Sequence, residues 1–213
     1  MSRTVVGYFP SGYLNSAASA NATGSTDAET GLSIQTGLEL GQFQEFGDAD
    51  AARYSNPALV GITLYSGQYA WVQLDPAVTG NAIPIGTALW WLQTSDNATG
   101  SPVVTTVSGS NAPDFAGVSI DSNFGPKLPY AFIQQDGKTN VLFDKTLTVT
   151  PTVFGDLLAL KSTQAGTFDD LGSFTSATAF TVANAINQQG IVLGAYIGGQ
   201  VGLARITRKI TRY

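Results

Sequence analysis

The sequence predicts an all-β, barrel-like antiparallel domain from residue 36 to 213, with little helix, preceded by an extended N-terminal arm over residues 1–35. Three observations predict it. Short apolar runs recur about every 8–12 residues between clusters of Gly, Pro, Asn and Asp, which is the spacing of a sandwich or barrel. Several of these runs alternate apolar and polar residues, the period of a strand. An apolar strand with a central Gly, a short turn and a second alternating strand also recurs, at Leu59-Val60-Gly61-Ile62, Phe115-Ala116-Gly117-Val118 and Val192-Leu193-Gly194-Ala195. A central Gly suits close backbone approach or a bend at a barrel corner. The three copies reflect internal duplication or the shared grammar of β-hairpins.

The arm comes first. VVGYFPSGYL carries Val5, Val6, Tyr8, Phe9, Tyr13 and Leu14 ahead of SAASANATGSTDAETG (Ser16 to Gly31), which has no aliphatic residue larger than Ala and no period. Such a tract cannot bury enough apolar surface to offset its ordering entropy unless a partner supplies some. An apolar patch ahead of it reads as an arm that docks on something; the alternative is a strand added to its own domain.

The strands follow in order. LSIQTGLELGQFQEFG alternates through Leu32, Ile34, Leu38, Leu40, Phe43 and Phe46. PALVGITLYSGQYAWVQL reads as two strands around Ser66-Gly67, with Tyr69, Trp71 and Gln73 on one face of the second and Ala70, Val72 and Leu74 on the other. In IPIGTALWWLQ, Pro84 and Gly86 mark a strand start or a bulge. DFAGVSID leads through a Gly/Pro loop into PYAFIQQDGKTNVLF, where Asp136-Gly137 fits a two-residue type I′ turn. That turn would set Tyr130 opposite Phe143, Phe132 opposite Val141 and Gln134 opposite Thr139. LTVTPTVFGDLLALKS and GIVLGAYIGGQVGLARITRKITRY supply the last strands. The best helix candidate is Ser176 to Gln188, and its β-branched content weakens it.

Composition narrows the chemistry. The 213-residue chain has no Cys and no His, which removes disulfides, thiolate metal sites and the usual triads. A net charge of −5 argues against nucleic acid as the main partner. No run reaches the ~20 apolar residues of a membrane helix, and MSRTVVGYFPSGY lacks the apolar core of a signal peptide. The expectation is synthesis in the cytoplasm, with no membrane partner. Charged residues make up 12%, against about 25% in ordinary globular chains. That surface suits a subunit packed against neighbours, or a secreted β protein rich in Ser, Thr and Asn.

Several pieces, in order, resemble tailed-bacteriophage capsid decoration (head cement) proteins. GQFQEFG (Gly41 to Gly47) resembles the family's entry strand, and LVGITLYSGQY its first hairpin. FAGVSID followed by PYAFIQQDGKTNVLF resembles its most recognisable unit. GDLLAL resembles the next strand, and VLGAYIGGQVGLARITRKI the closing hairpin. The similarity covers about Leu38 to Ile210. It implies a β-barrel or β-tulip-like domain on the capsid exterior of a virion. Such a protein binds across major capsid protein junctions and stabilises the shell, often as a homo-oligomeric trimer, with no enzymatic activity and no cofactor. A receptor- or glycan-binding β module of a head fibre or adhesin is the alternative function, and a carboxylate-only glycoside hydrolase is a third.

The candidate capsid or oligomer interface comprises the arm residues Val5, Val6, Tyr8, Phe9, Tyr13 and Leu14, with Trp90, Trp91, Arg205, Arg208, Lys209 and Arg212. Adjacent Trp90 and Trp91 must face opposite sides of a strand. One therefore belongs to the core, and the other to an interface or, less readily, a sugar-stacking surface. RITRKITR holds four of the ten basic residues, as a cationic docking strand or as an edge strand protected by charge. Glu45, Asp48 and Asp50, and Asp169-Asp170, read as solvated turn residues before paired acids or a Ca²⁺ site. Asn21-Ala22-Thr23 and Asn97-Ala98-Thr99 match the glycosylation pattern by chance.

Overall fold

The strand Tyr130–Leu142 is where barrel and outer sheet meet, and its neighbours define the fold. The computed structural model describes residues 41, 43–53, 55, 63–93, 103–107, 114–144, 154–160, 166–170, 188–196 and 199–207. In chain order the elements are β1 (Phe43–Phe46), α1 (Asp48–Arg53), β2 (Gly67–Leu74), β3 (Ala88–Trp91), β4 (Val103–Thr105) and β5 (Phe115–Ser119). They continue with β6 (Tyr130–Leu142), β7 (Leu157–Leu160), β8 (Phe168–Asp170), β9 (Gln188–Val192) and β10 (Val201–Ile206). The ten strands lie in the order β1-β2-β4-β3-β5-β6-β10-β9-β7-β8, and β2 also pairs with β6. That last pairing closes β2, β4, β3, β5 and β6 into a five-stranded barrel. The all-β, barrel-like fold expected from the sequence is therefore present.

One pairing departs from the antiparallel expectation. β2 and β4 run parallel, through Gln73↔Val103 and Leu74↔Val104. A closed ring with an odd number of strands cannot alternate direction all the way round, so at least one pair must be parallel. Here it is the shortest strand of the ring, β4, that takes that place.

The barrel lumen is filled by side chains. Ala70, Val72 and Leu74 of β2 meet Leu89 of β3, Val104 of β4, Ala116 of β5, and Ala131 and Ile133 of β6. Ile83 and Phe124, from loops, complete this core. A five-stranded barrel is narrow, and small residues such as Ala70, Ala116 and Ala131 leave room for Leu89 and Phe124. The opposite faces of β2 and β6 are also buried. Tyr69, Trp71 and Phe132 pack with Ala51 of α1, Leu64 and Ile120. The expected division of β2 into a Tyr69/Trp71 face and an Ala70/Val72/Leu74 face is borne out. A third core, around Val118, Val141, Phe143, Leu158, Phe168, Val192, Ala204 and Ile206, joins the barrel wall to the outer sheet. Edge-to-face rings run across this junction, Trp90 to Phe115 at 6.3 Å and Phe115 to Phe168 at 6.1 Å.

The hairpin expected at Asp136-Gly137 does not form. β6 is one continuous strand of 13 residues. Its first half pairs with β2, so Phe132 faces Trp71 and Tyr130 faces Gln73. Its second half pairs with β10, so Val141 faces Gly202 and Thr139 faces Ala204. Gly137 does have a positive φ, +99°, but it serves a crossing rather than a turn. It lies opposite Gly67, and a Cβ there would collide with the Ser66 carbonyl oxygen. One residue earlier the ladder slips, with Gln68 opposite Asp136 and Tyr69 opposite Gln134, which leaves Gln135 as a bulge. Bulges bend a strand and raise its twist, which lets β6 leave the barrel for the outer sheet.

A second bulge lies beside the first. Leu89 faces Gly117 and Trp90 faces Phe115, leaving Ala116 unpaired between them. Gln135 Nε2 donates to the Ala116 carbonyl oxygen at 2.9 Å in a fully buried setting. A side chain displaced by one bulge thus satisfies backbone at the other, as burial requires.

Other expectations fare differently. Pro84-Ile85-Gly86-Thr87 forms a turn ahead of β3, with Thr87 Oγ1 donating to Pro84 O at 2.7 Å, so these residues do mark a strand start. The only helix among the described residues is α1, which the sequence reading assigned to solvated turns. Of the helix candidate Ser176 to Gln188, residues 176–187 lie outside the described residues, and Gln188 opens strand β9. The arm over residues 1–35 and both Asn-Ala-Thr sites also lie outside them.

Candidate functional site

Beyond Gly137, β6 presents one side to the third core and a half-buried side away from it, where Asn140 Nδ2 donates to the Thr63 carbonyl oxygen at 3.2 Å and Lys138 lies over the Tyr65 ring. Thr139 and Val141 turn inward, as do Gly202, Ala204 and Ile206 of β10 and Val192 of β9. The opposite side carries Lys138, Asn140 and Leu142 of β6, Val201, Leu203 and Arg205 of β10, and Ile191 of β9. Register places them in rows: Leu142 beside Val201, Asn140 beside Leu203, and Lys138 beside Arg205. Arg205 is in turn beside Ile191, and Ile191 beside Leu157 of β7. The outer face of a one-side-solvated antiparallel sheet is normally polar. Here it is largely aliphatic, with Val201 43% and Ile191 41% exposed, and it is cationic at one end. Among the described residues this aliphatic row is the candidate docking surface.

The cationic end adjoins the β1–α1 margin. Asp48 Oδ1 accepts the Ser66 backbone N–H at 2.7 Å. The Ser66 backbone and side-chain hydrogen bonds, and then the nearby Lys138 charge, hold the Asp48 carboxyl below its ordinary value. Lys138 Nζ sits 4.2 Å from the centre of the Tyr65 ring, a cation–π contact. Tyr69 Oη donates to the Tyr65 carbonyl oxygen at 2.5 Å, and burial raises the Tyr69 phenol far above its usual value. A depressed carboxyl stabilises the fold above its unfolded value and loses that contribution as pH falls through its folded value. Asp48→Asn is therefore expected to melt below wild type at neutral pH, and the difference should close as pH is lowered below 3.8. Melting curves across that range check it.

The expected site residues fall as follows. Trp90 and Trp91 are each half-buried and do face opposite sides. Trp91 packs against the barrel core, and Trp90 packs edge-on against Phe115. Arg205 is exposed on the outer face. β10 lies between β6 and β9, so the reading of its basic residues as protection of an edge strand does not hold for Arg205. Its alternation with the buried Ile206 is as expected. Val5, Val6, Tyr8, Phe9, Tyr13, Leu14, Arg208, Lys209 and Arg212 lie outside the described residues. The structure adds Leu142, Ile191, Val201 and Leu203, which the sequence reading did not single out. The signal was there in VGLARI, where Val201, Leu203 and Arg205 share one parity, but nothing in the sequence says which parity faces out.

No group of His, Cys, Asp and Glu suited to a metal ion occurs among the described residues. No described helix is long and apolar enough to cross a membrane. No protein-family model matches the chain, and no curated protein matches it.

Proposed function

We propose that this is a structural virion protein that binds the exterior of a phage capsid across major capsid protein junctions and stabilises the shell. The aliphatic, cationic-ended outer face of β6, β10 and β9 carries the reading. It is a row of aliphatic residues on one side of a sheet, set on a barrel whose lumen is filled by its own side chains. The low charge content fits a subunit that lives against neighbours. A protein that binds only the assembled shell stabilises it by its binding free energy. In this reading the arm residues Val5, Val6, Tyr8, Phe9, Tyr13 and Leu14 add contact area on the shell. Trp90 and Trp91 both pack against neighbouring side chains, which favours this reading over a sugar-binding module of a head fibre or adhesin.

The experiment mixes purified protein with expanded capsids that lack it. Saturable co-sedimentation with a raised shell melting temperature is the expected result. Absence of binding, together with glycan-array binding that Trp90→Ala abolishes, would replace the reading with the sugar-binding one.

A further inference from the structure

We propose that β1 and α1 form a strap, clasped by Asp48, that opens as a unit while the barrel stays closed. The strap lies outside the ring. β1 ends the sheet, and the barrel closes through β2, β4, β3, β5 and β6 without it. Its burial is slight. From Phe43 to Arg53 only Ala51 is buried, while Phe43, Glu45 and every other residue from Gly47 to Arg53 are exposed. It is attached through four register pairs between β1 and β2 and through the edge-on contact of Phe46 with Tyr69 at 5.6 Å. Ala51 adds its buried methyl, and Asp48 Oδ1 accepts the Ser66 N–H.

The two elements open together because neither stands alone. A six-residue helix is too short to persist in water, so α1 exists only while Ala51 and Asp48 hold it to the barrel. Phe46 of β1 and Ala51 of α1 pack into the same core. The rest of that core, Leu64, Tyr69, Trp71, Ile120 and Phe132, lies outside the strap. Trp71 and Phe132 face each other across the β2–β6 ladder, their rings edge-on at 5.0 Å. Opening therefore uncovers an aromatic wall without dismantling it, and frees the β2 edge from Gly67 to Ala70. The buried Trp71 Nε1 has no partner among the described residues. A donor so placed is costly until water reaches it, which favours opening. Segments with few buried apolar contacts open at lower free energy than the core. This inference stands whether or not the protein binds a capsid.

Native-state hydrogen exchange of the full-length chain in low denaturant tests it, with thiol labelling beside it. The protected amides of β1 and α1 are expected to exchange about tenfold or more faster than those of β6. They should share one denaturant slope, shallower than that of β6, because the slope follows the surface exposed. The chain has no cysteine, so an Ala51→Cys thiol, at a fully buried position, reports the strap alone. It should react about tenfold or more faster than Ala131→Cys, whose lumen position opens only with the barrel, each rate being referred to that variant's own unfolding free energy. Adding Asp48→Ala to Ala51→Cys removes the clasp and should raise the rate about fivefold. Ala51→Cys reacting at the opening free energy and slope of global unfolding would overturn the proposal. So would different slopes for β1 and α1, or a rate that Asp48→Ala leaves unchanged. Should a cysteine variant fail to fold, the exchange slopes of the unsubstituted chain decide.

Discussion

Gly137→Val is expected to destabilise the protein by about 3 kcal/mol or more, or to prevent folding altogether. Two effects combine at this position. The backbone holds φ at +99°, which a β-branched residue adopts only with strain. A Cβ would also strike the Ser66 carbonyl oxygen, and it would lie 3.0 Å from the Gly67 Cα. Both obstacles are backbone, so no side-chain rotation relieves them. The crossing of β2 and β6 that closes the barrel runs through this point, and β10 begins to pair there too. Gly80→Ala is the control. Its φ is +107°, but a Cβ there meets nothing within 4 Å, so only conformational strain of about 1 kcal/mol applies. Denaturant midpoints for the two variants separate collision from strain. Equal losses would mean that β2 and β6 do not approach as described.

Trp71 gives the second large effect. Its indole is 2% exposed and packs edge-on against Phe132 at 5.0 Å. Trp71→Ala should cost about 3–5 kcal/mol through the cavity it leaves. Trp71→Phe should cost less than about 1.5 kcal/mol. The reason is that Trp71 Nε1 has no hydrogen-bond partner among the described residues, so a smaller apolar ring removes no bond and relieves a buried N–H. Chemical denaturation of both variants checks this. A Phe variant as damaged as the Ala variant would mean that the indole N–H is bonded after all.

Much of the fold was legible in the chain, and the reasons are specific. β2 was readable because tight side-chain alternation serves two different cores at once, and both Tyr69/Trp71 and Ala70/Val72/Leu74 are large enough to leave a pattern. Trp90 and Trp91 were readable because adjacent strand residues have no choice but to diverge. The Gly in FAGV was rightly read as close approach: a Cβ on Gly117 would lie 2.5 Å from the Gln134 carbonyl oxygen. The expected turn at Asp136-Gly137 failed because a type I′ turn and a crossing between close backbones ask for the same residue. Local sequence cannot distinguish them. The choice was made by β2 and β10, which supply ladder partners to the two halves of β6 from 57 to 70 residues earlier and 59 to 69 residues later in the chain. Helix α1 was missed because six residues are too few to show a period, although Asp48 and Asp50 in its first turn and Arg53 in its last suit the helix dipole. The outer face was only half legible. Its residues alternate, but which half faces the core depends on the barrel wall behind it.

The continuity of β6 supports every row of that face, and one cross-link tests it directly. The chain has no cysteine, so introduced pairs report without background. Leu142 faces Val201, and the neighbouring bond from Phe143 N to Gln200 O at 2.9 Å makes theirs a non-hydrogen-bonded pair. Such pairs have Cα atoms about 4.5 Å apart, within disulfide range. A hairpin turning at Asp136-Gly137 would instead place Leu142 opposite Ala131, whose side chain lies in the lumen. Leu142→Cys with Val201→Cys is expected to oxidise to an intrachain disulfide, while Ala131→Cys with Leu142→Cys keeps both thiols free. The reverse outcome would contradict the shared strand, and with it the docking face.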